Sequence, residues 1–179
     1  MGKTDISERW FEARIVRGLT GNSQPDFNTS LEPTDFAYSH NGYVQGKPTD
    51  YNRDVGLDTA KLMAFLRETQ ESTVELLELD KEGIKRIQFL HRLQGEIAKR
   101  GVVDVLRKGL AHGPAHVDMY KLLPTPGNAT AADNFKKNVF SVTRQVRYSS
   151  DSGNELDMVI FINGLPVLTF ELKNSLTKQ

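Results

Sequence analysis

An Asn163-Gly164 dipeptide separates two strongly apolar runs near the end of the chain, 156–162 and 167–173. Both residues tolerate the positive φ of a type I′ turn, and such a pair between apolar runs is a strong hairpin signal. Just upstream, over 140–148, apolar residues alternate with polar ones, which predicts a half-buried strand. Together the three runs predict an antiparallel meander.

The chain before this meander is predicted to be mostly helical. Apolar side chains recur at helical spacing over 5–17, 57–68 and 80–100. A further short helix is predicted over 130–137. In the longest of these stretches the buried stripe is predicted to be Ile84, Ile87, Leu90, Leu93 and Ile97. Gly101 follows it and predicts the end of that helix.

Three other features complete the predicted elements. Residues 20–54 are rich in Gly, Asn, Pro, Asp and Thr and predict a long loop or a series of turns. Residues 117–123 predict a strand, and the aromatic pair Trp10 and Phe11 is predicted to pack in the core.

The length fits one domain, 1–179, with helices over 1–137 and catalytic strands over 138–174. This order of elements predicts an α/β fold with a mixed or antiparallel sheet. The chain has no cysteine, which excludes disulfides and thiolate metal sites. It has no apolar run of membrane-spanning length and no export signal, so we expect a cytoplasmic protein without membrane contact.

Charge is unevenly distributed although the formal net charge is zero. Residues 1–79 carry 8 basic and 13 acidic side chains, whereas residues 80–123 carry 9 and 5. Within the basic part, Lys85, Arg92 and Lys99 recur every seven residues and form a stripe on the predicted helix. Two interpretations stay open: a solvated helix face, or a contact with the DNA backbone or a partner subunit.

The last predicted strand carries Glu171 and Lys173 on one face, because side chains alternate along a strand. Phe170 and Leu172 face the opposite layer. The hairpin brings Asp157, on the preceding strand, beside Glu171. We expect the three charged groups to lie within about 6 Å of one another.

Two carboxylates and a lysine are the set that metal-dependent phosphodiester hydrolysis needs. Carboxylate oxygens suit Mg²⁺, which activates a bound water and neutralises charge on the phosphate. The ammonium of Lys173 would position the water or stabilise the transition state. A Glu-x-Lys sequence also occurs by chance, and solvated strand charges are the alternative. Charges are rare in an otherwise apolar strand, however, and this favours the nuclease interpretation.

The same region resembles a known family. The Arg-Gln-Val-Arg-Tyr and Asn-Gly-Leu-Pro segments, with the Phe-Glu-Leu-Lys-Asn segment, closely resemble the N-terminal nuclease domain of the restriction (R) subunit of type I restriction-modification enzymes. The close resemblance covers 138–179, and a looser one extends through 42–43, 66–70 and 101–109. One departure is Leu156, where relatives often have proline before the aspartate.

This resemblance implies a restriction-endonuclease-like (PD-(D/E)xK) fold, with a mixed central sheet flanked by helices. By position, it makes Asp157 and Glu171 the metal ligands, the Leu172 backbone carbonyl a third ligand, and Lys173 the catalytic lysine. Mg²⁺ is the expected cofactor, with Mn²⁺ as a substitute.

An early helical glutamate assists catalysis in some relatives, and Glu12 is the candidate here, with Glu8 as the alternative. Arg144 and Arg147 precede Asp157 on the neighbouring strand. Each could contact DNA phosphate or an internal carboxylate, and the sequence leaves both open.

The family further implies a cytoplasmic bacterial enzyme that joins methyltransferase and specificity subunits and cuts double-stranded DNA without sequence recognition of its own. ATP would act only in motor domains, which we expect downstream of Gln179. In the family, a helix that would help to position the attacking water or the phosphate follows the catalytic strand. Because this sequence stops at Gln179, before that helix, we expect this chain alone to cleave DNA poorly and to bind it weakly. The alternatives are a catalytically silent docking domain for the other subunits and a repair or junction nuclease of the same fold.

Two other motifs are rejected. Residues 42–48 superficially resemble a phosphate-binding loop, but the spacing is one residue short and Pro48 stands where Ser or Thr would hold Mg²⁺. His112 and His116 have the spacing of a helical zinc pair, but the intervening Gly and Pro forbid the helix. A loop with two ordinary histidines is predicted.

Overall fold

The computed structural model describes residues 3–21, 42–123, 125–149 and 153–172, with side chains described from Trp10 onward. The α-helices in these ranges are α1 (Lys3–Thr20), α2 (Thr59–Leu76), α3 (Ile84–Arg100), α4 (Val102–Lys108) and α5 (Ala129–Lys136). The strands are β1 (Tyr43–Gln45), β2 (Tyr51–Asn52), β3 (Leu57–Asp58), β4 (Leu110–His112), β5 (Ala115–Val117), β6 (Phe140–Arg147), β7 (Glu155–Ile162) and β8 (Leu165–Phe170). A short 3-10 helix occupies Pro48–Asp50.

The largest sheet of the described residues has the strand order β1-β6-β7-β8. β6, β7 and β8 form the predicted antiparallel meander, and β1 adds to β6 in parallel. Both turn residues of the β7–β8 hairpin have positive φ, 50° at Asn163 and 82° at Gly164, which confirms the type I′ signal. The chain is therefore a mixed α/β protein with a mixed sheet and helices.

Apolar side chains cover both faces of this sheet. On one face, Val16 of α1 packs on Val142, Met158 and Ile160. A second cluster comprises Val146, Val159 and Phe161. The largest cluster lies among α2, α3 and α4, and its fully buried members include Leu62, Phe65, Leu66, Phe89, Leu93 and Val105.

The turn residue Asn163 ties the hairpin to the rest of the protein. Its side chain is fully buried, and its Oδ1 accepts a hydrogen bond from the Val139 N–H at 2.6 Å. Its amide nitrogen donates to the Met119 carbonyl at 2.9 Å and to Asn138 Oδ1 at 3.0 Å. The turn is therefore a fixed point of the sheet.

The second helix differs from its predicted bounds. It begins at Thr59, because Leu57 is in β3 and Asp58 caps the helix by accepting from the Lys61 N–H at 3.0 Å. It continues past Glu68 through a kink at Gln70. The Gln70 side chain exchanges two hydrogen bonds of 2.8 Å with the backbone of residue 118, which accounts for the kink.

Four predicted core residues lie on the surface. Ile84 and Ile87 are 74% and 54% exposed, because α3 packs through Phe89 and the leucines that follow it. Trp10 and Phe11 are 53% and 51% exposed, so their predicted core packing is wrong. The Trp10 ring instead lies 4.8 Å from the Arg14 guanidinium carbon.

Three connecting segments also differ from prediction. The predicted strand over 117–123 is wrong, since β5 ends at Val117 and pairs with β4 as a hairpin. The loop predicted over 20–54 contains β1, the 3-10 helix and β2, while 22–41 lies outside the described residues. Gly101, with φ 84°, ends α3 as predicted, but α4 follows at once. In the described ranges, no helix has both the length and the apolar character needed to cross a membrane.

Candidate functional site

Asp157 lies on β7, half-buried, one residue before Met158. Its Oδ2 accepts a hydrogen bond of 2.5 Å from the Leu172 N–H. That N–H belongs to the peptide group that joins Glu171 to Leu172. The Asp157 carboxylate is therefore held against the backbone of the Glu171 segment.

Glu171 follows the end of β8. Met158 pairs with Phe170, so continuing the register by one residue sets Asp157 opposite Glu171. The predicted strand to residue 173 is too long in the described part, because β8 ends at Phe170. The Asp157 side chain takes the Leu172 N–H, which accounts for the end of the regular pairing.

The environment of this strand end is asymmetric. Phe170 and Leu172 pack against the cluster under α1, in agreement with the predicted alternation of faces. Glu171 is exposed to solvent. Lys173 lies outside the described residues. The convergence of all three charged groups therefore stays a prediction.

Glu12, the candidate assisting acid, is 4% exposed on the sheet-facing side of α1. Its Oε2 accepts from the Arg144 Nη2 at 2.7 Å and from the Arg144 Nε at 2.8 Å. Arg144 pairs with Met158 in the β6–β7 register, next to Asp157. Glu12 thus neutralises Arg144, which lies across the ladder from the neighbour of Asp157. The side chain of Glu8 lies outside the described part.

Arg147 forms the second ion pair of β6, with Glu155 directly across the β6–β7 ladder. The Arg147 side chain is 62% exposed and that of Glu155 is 35% exposed. Arg144 and Arg147 thus each have a carboxylate partner, and a contact of either one with DNA phosphate stays a prediction. For Arg147 the contact is a surface one, and such pairs contribute only about 0–1 kcal/mol and exchange partners readily.

The basic stripe of α3 is a solvent-facing surface. Lys85 donates to Glu78, and this hydrogen bond lowers the pKa of the Glu78 carboxyl below its usual value. Arg92 lies 3.6 Å from a Glu96 oxygen, and Lys99 is exposed. A DNA or partner contact of this stripe stays a prediction.

The segment at 42–48 forms the sheet edge. β1 occupies its first half, and the buried Gly46 donates its N–H to the Val142 carbonyl at 2.9 Å. A Cβ at Gly46 would lie 2.1 Å from Thr143 Oγ1, so glycine is required there for close packing.

The two histidines lie in the β4–β5 hairpin and not in an irregular loop. His112 is across from Ala115 and His116 across from Ala111, at adjacent ladder positions that face opposite sides. His112 contacts the Phe89 ring edge-on at 5.4 Å. Among the described residues, no group of three or more metal-ligating side chains is present.

A buried charge cluster that was not predicted from the sequence lies at the start of α2. The Lys61 Nζ lies 2.6 Å from Asp58 Oδ2 and 3.2 Å from Asp50 Oδ2. Lys61 and Asp58 are 5% and 1% exposed. No residue pattern indicated it, since a lysine three positions after a helix cap is typical of a solvated first turn.

The described residues thus form a mixed sheet packed with helices, and the Asp157 carboxylate is held at the end of the sheet that β7 and β8 share. The family model for the type I restriction enzyme R protein N terminus matches residues 57–179, more than half of the chain. The chain belongs to this family, which confirms the resemblance of the sequence. No curated protein and no solved structure gives a significant match to this chain.

Proposed function

We propose that this region is the metal-dependent endonuclease of the R protein and that it hydrolyses phosphodiesters of double-stranded DNA without sequence recognition of its own. The observation that carries the proposal is the hydrogen bond from the Leu172 N–H to Asp157 Oδ2. It holds one carboxylate beside the segment that carries Glu171 and, two residues on, Lys173.

The proposal includes the restriction-endonuclease-like (PD-(D/E)xK) fold. The supporting features are the mixed sheet, the acidic residues at one end of two adjacent antiparallel strands, and α1 packed on one sheet face. The resemblance further implies an early helical glutamate that assists catalysis in some relatives, for which Glu12 is the candidate. Here Glu12 is paired with Arg144, so we assign it a positioning role and not that of a metal ligand.

The donor set fits a hard divalent cation. Asp157 and Glu171 offer carboxylate oxygens, which Mg²⁺ and Mn²⁺ prefer. Asp157 Oδ2 is already engaged by the Leu172 N–H, and this fixes the orientation in which Oδ1 is offered. The Leu172 carbonyl is the candidate third ligand. When bound, Mg²⁺ lowers the pKa of a coordinated water and neutralises charge on the phosphate.

The chain's own residues have separate tasks. The Leu172 N–H restrains the Asp157 carboxylate, and the arginine of the Glu12–Arg144 pair holds β6 against α1 beside it. The ammonium of Lys173 would orient the attacking water and stabilise the charge that develops on the phosphate oxygens. The partners that this function requires are double-stranded DNA and the methyltransferase and specificity subunits.

The test uses the full-length R protein assembled with its methyltransferase and specificity subunits. We expect Asp157→Asn, Glu171→Gln and Lys173→Ala each to lower DNA cleavage about 100-fold or more. ATP hydrolysis and DNA translocation should stay at the wild-type level. Glu155→Gln is the matched control, since it removes an exposed carboxylate from the same strand two residues away.

Two results would contradict the proposal. Wild-type cleavage by Asp157→Asn would remove the carboxylate from the mechanism. Loss of ATP hydrolysis in a folded Glu171→Gln protein would indicate a coupling or docking role in place of catalysis.

A further inference from the structure

Gln145 has left-handed backbone geometry in the interior of β6, with φ 52°. The other non-glycine residues with positive φ in the described ranges are Glu78, after α2, and Asn163, in the hairpin turn. A residue of this kind inside a strand costs about 1–3 kcal/mol and persists only where the surroundings impose it. Such strain clusters at functional positions.

The left-handed residue changes the face that β6 presents. Val142 packs in the cluster under α1, whereas Val146 packs with Val159 and Phe161 in the other cluster. In a regular strand two residues four positions apart share a face. The alternation is therefore reversed across Gln145, and the neighbouring strand follows it, since Leu156, the ladder partner of Val146, packs against the same cluster. No residue is inserted, because the β6–β7 register is the same on both sides of Gln145.

This reversal occurs beside Asp157. Arg144 pairs with Met158 and Val146 with Leu156, so Gln145 occupies the position across from Asp157. Asp157 is thus flanked by Gln145 on one side and by the Leu172 N–H on the other.

A buried ion pair restrains the strand immediately before the strained residue, and a surface ion pair follows it. Arg144, immediately before it, is bound to the buried Glu12, and Arg147, two residues after it, is bound to Glu155 across the ladder. Both flanking arginines therefore have carboxylate partners. The Gln145 side chain is exposed and makes no hydrogen bond to any residue within the described ranges.

We propose that Gln145 is a substrate-contacting residue whose carboxamide N–H donates a hydrogen bond to a DNA phosphate oxygen next to Asp157. The proposal rests on the proposed endonuclease function. A phosphate that approaches two carboxylates is repelled, and a neutral donor beside them can bind it without neutralising the metal ligands. The strained backbone is retained because it presents this donor at the strand position across from Asp157.

Two variants separate the side chain from the backbone, again in the assembled full-length R protein. Gln145→Gly keeps the left-handed conformation without strain and removes the donor. Gln145→Glu keeps the shape, removes the N–H donor and adds a charge that repels phosphate. We expect single-turnover cleavage to fall about 10- to 100-fold in Gln145→Gly, the effect of a lost hydrogen bond to a charged group. It should fall further in Gln145→Glu.

Three measurements accompany these variants. ATP hydrolysis and translocation are expected to match the wild-type protein, and the melting temperature of Gln145→Gly should not fall, because glycine relieves the backbone strain. Gln45→Ala, on the edge strand β1, is the control glutamine. Asp157→Asn is assayed in parallel. Loss of cleavage in Asp157→Asn with wild-type cleavage in Gln145→Gly would overturn the role of Gln145 and leave the endonuclease assignment standing. Cleavage by Gln145→Glu at or above that of Gln145→Gly would also overturn it, because a donor role requires the opposite order.

Discussion

The ion pair between Glu12 and Arg144 connects α1 to β6 across 132 positions of sequence. The Glu12 side chain is 5% exposed and that of Arg144 17% exposed, so water hardly reaches either charge. Glu12→Ala would leave this largely buried guanidinium without a counter-charge.

The expected magnitude follows from this burial. Removing one partner of a buried ion pair costs about 3–5 kcal/mol, because the remaining charge loses its partner without recovering its hydration. The residual exposure of Arg144 relieves part of the penalty, and we expect about 3 kcal/mol. That energy corresponds to a loss of roughly 100-fold in protection from local opening.

Amide hydrogen exchange read by mass spectrometry on the full-length R protein measures this effect segment by segment. Protection should fall in α1 and β6 of Glu12→Ala and be retained in α3. Glu155→Ala is the matched control, since its pair with Arg147 is exposed and contributes only about 0–1 kcal/mol. The double variant Glu12→Leu with Arg144→Leu should recover much of the protection, because apolar residues often replace a buried ion pair at little cost.

Equal loss of protection in Glu12→Ala and Glu155→Ala would refute this reasoning, since burial would then make no difference to the pair. A double variant less protected than Glu12→Ala alone would refute it as well.

Two further predictions concern the hairpin turn, both measured by thermal and urea unfolding. Gly164→Ala should destabilise the protein by at least about 3 kcal/mol, because the new Cβ would lie 2.3 Å from the Asp58 carbonyl oxygen at a positive φ. The control is Gly127→Ala, which is also at a positive φ but in open space and should cost only about 1 kcal/mol. Equal costs for the two variants would contradict the clash. Asn163→Ala should cost about 3 kcal/mol or more, because the buried Val139 N–H and the Met119 carbonyl both lose their hydrogen-bond partner. A cost under about 1 kcal/mol would show that other groups take over these hydrogen bonds.

Local chemistry explains what the sequence predicted correctly. The Asn163-Gly164 turn, the alternation over β6 and the apolar runs of β7 and β8 are encoded within a few residues of one another. The meander and the neighbourhood of Asp157 and the Glu171 segment therefore follow from short-range pattern.

Features that depend on distant parts of the chain were not predictable in this way. β1 has three residues and acquires its identity only by pairing with β6. In the helical pattern of α1, Glu12 is a polar residue that would be expected to face solvent. It is buried because Arg144 neutralises the charge of its carboxylate. Gln145 has no glycine or asparagine beside it to signal a positive φ, since tertiary contacts impose that conformation.

The parallel pairing of β1 with β6 has a consequence for how the chain assembles. Tyr43 lies opposite Phe140, so 97 positions separate partners that touch, whereas β6, β7 and β8 follow one another directly. Closing a long loop costs chain entropy before the contacts between its ends can stabilise it, so non-local strand pairings form late. The three strands next to the candidate site can therefore dock as a preformed hairpin ladder, and during synthesis the amino-terminal elements must wait with their apolar edges uncovered until that ladder emerges.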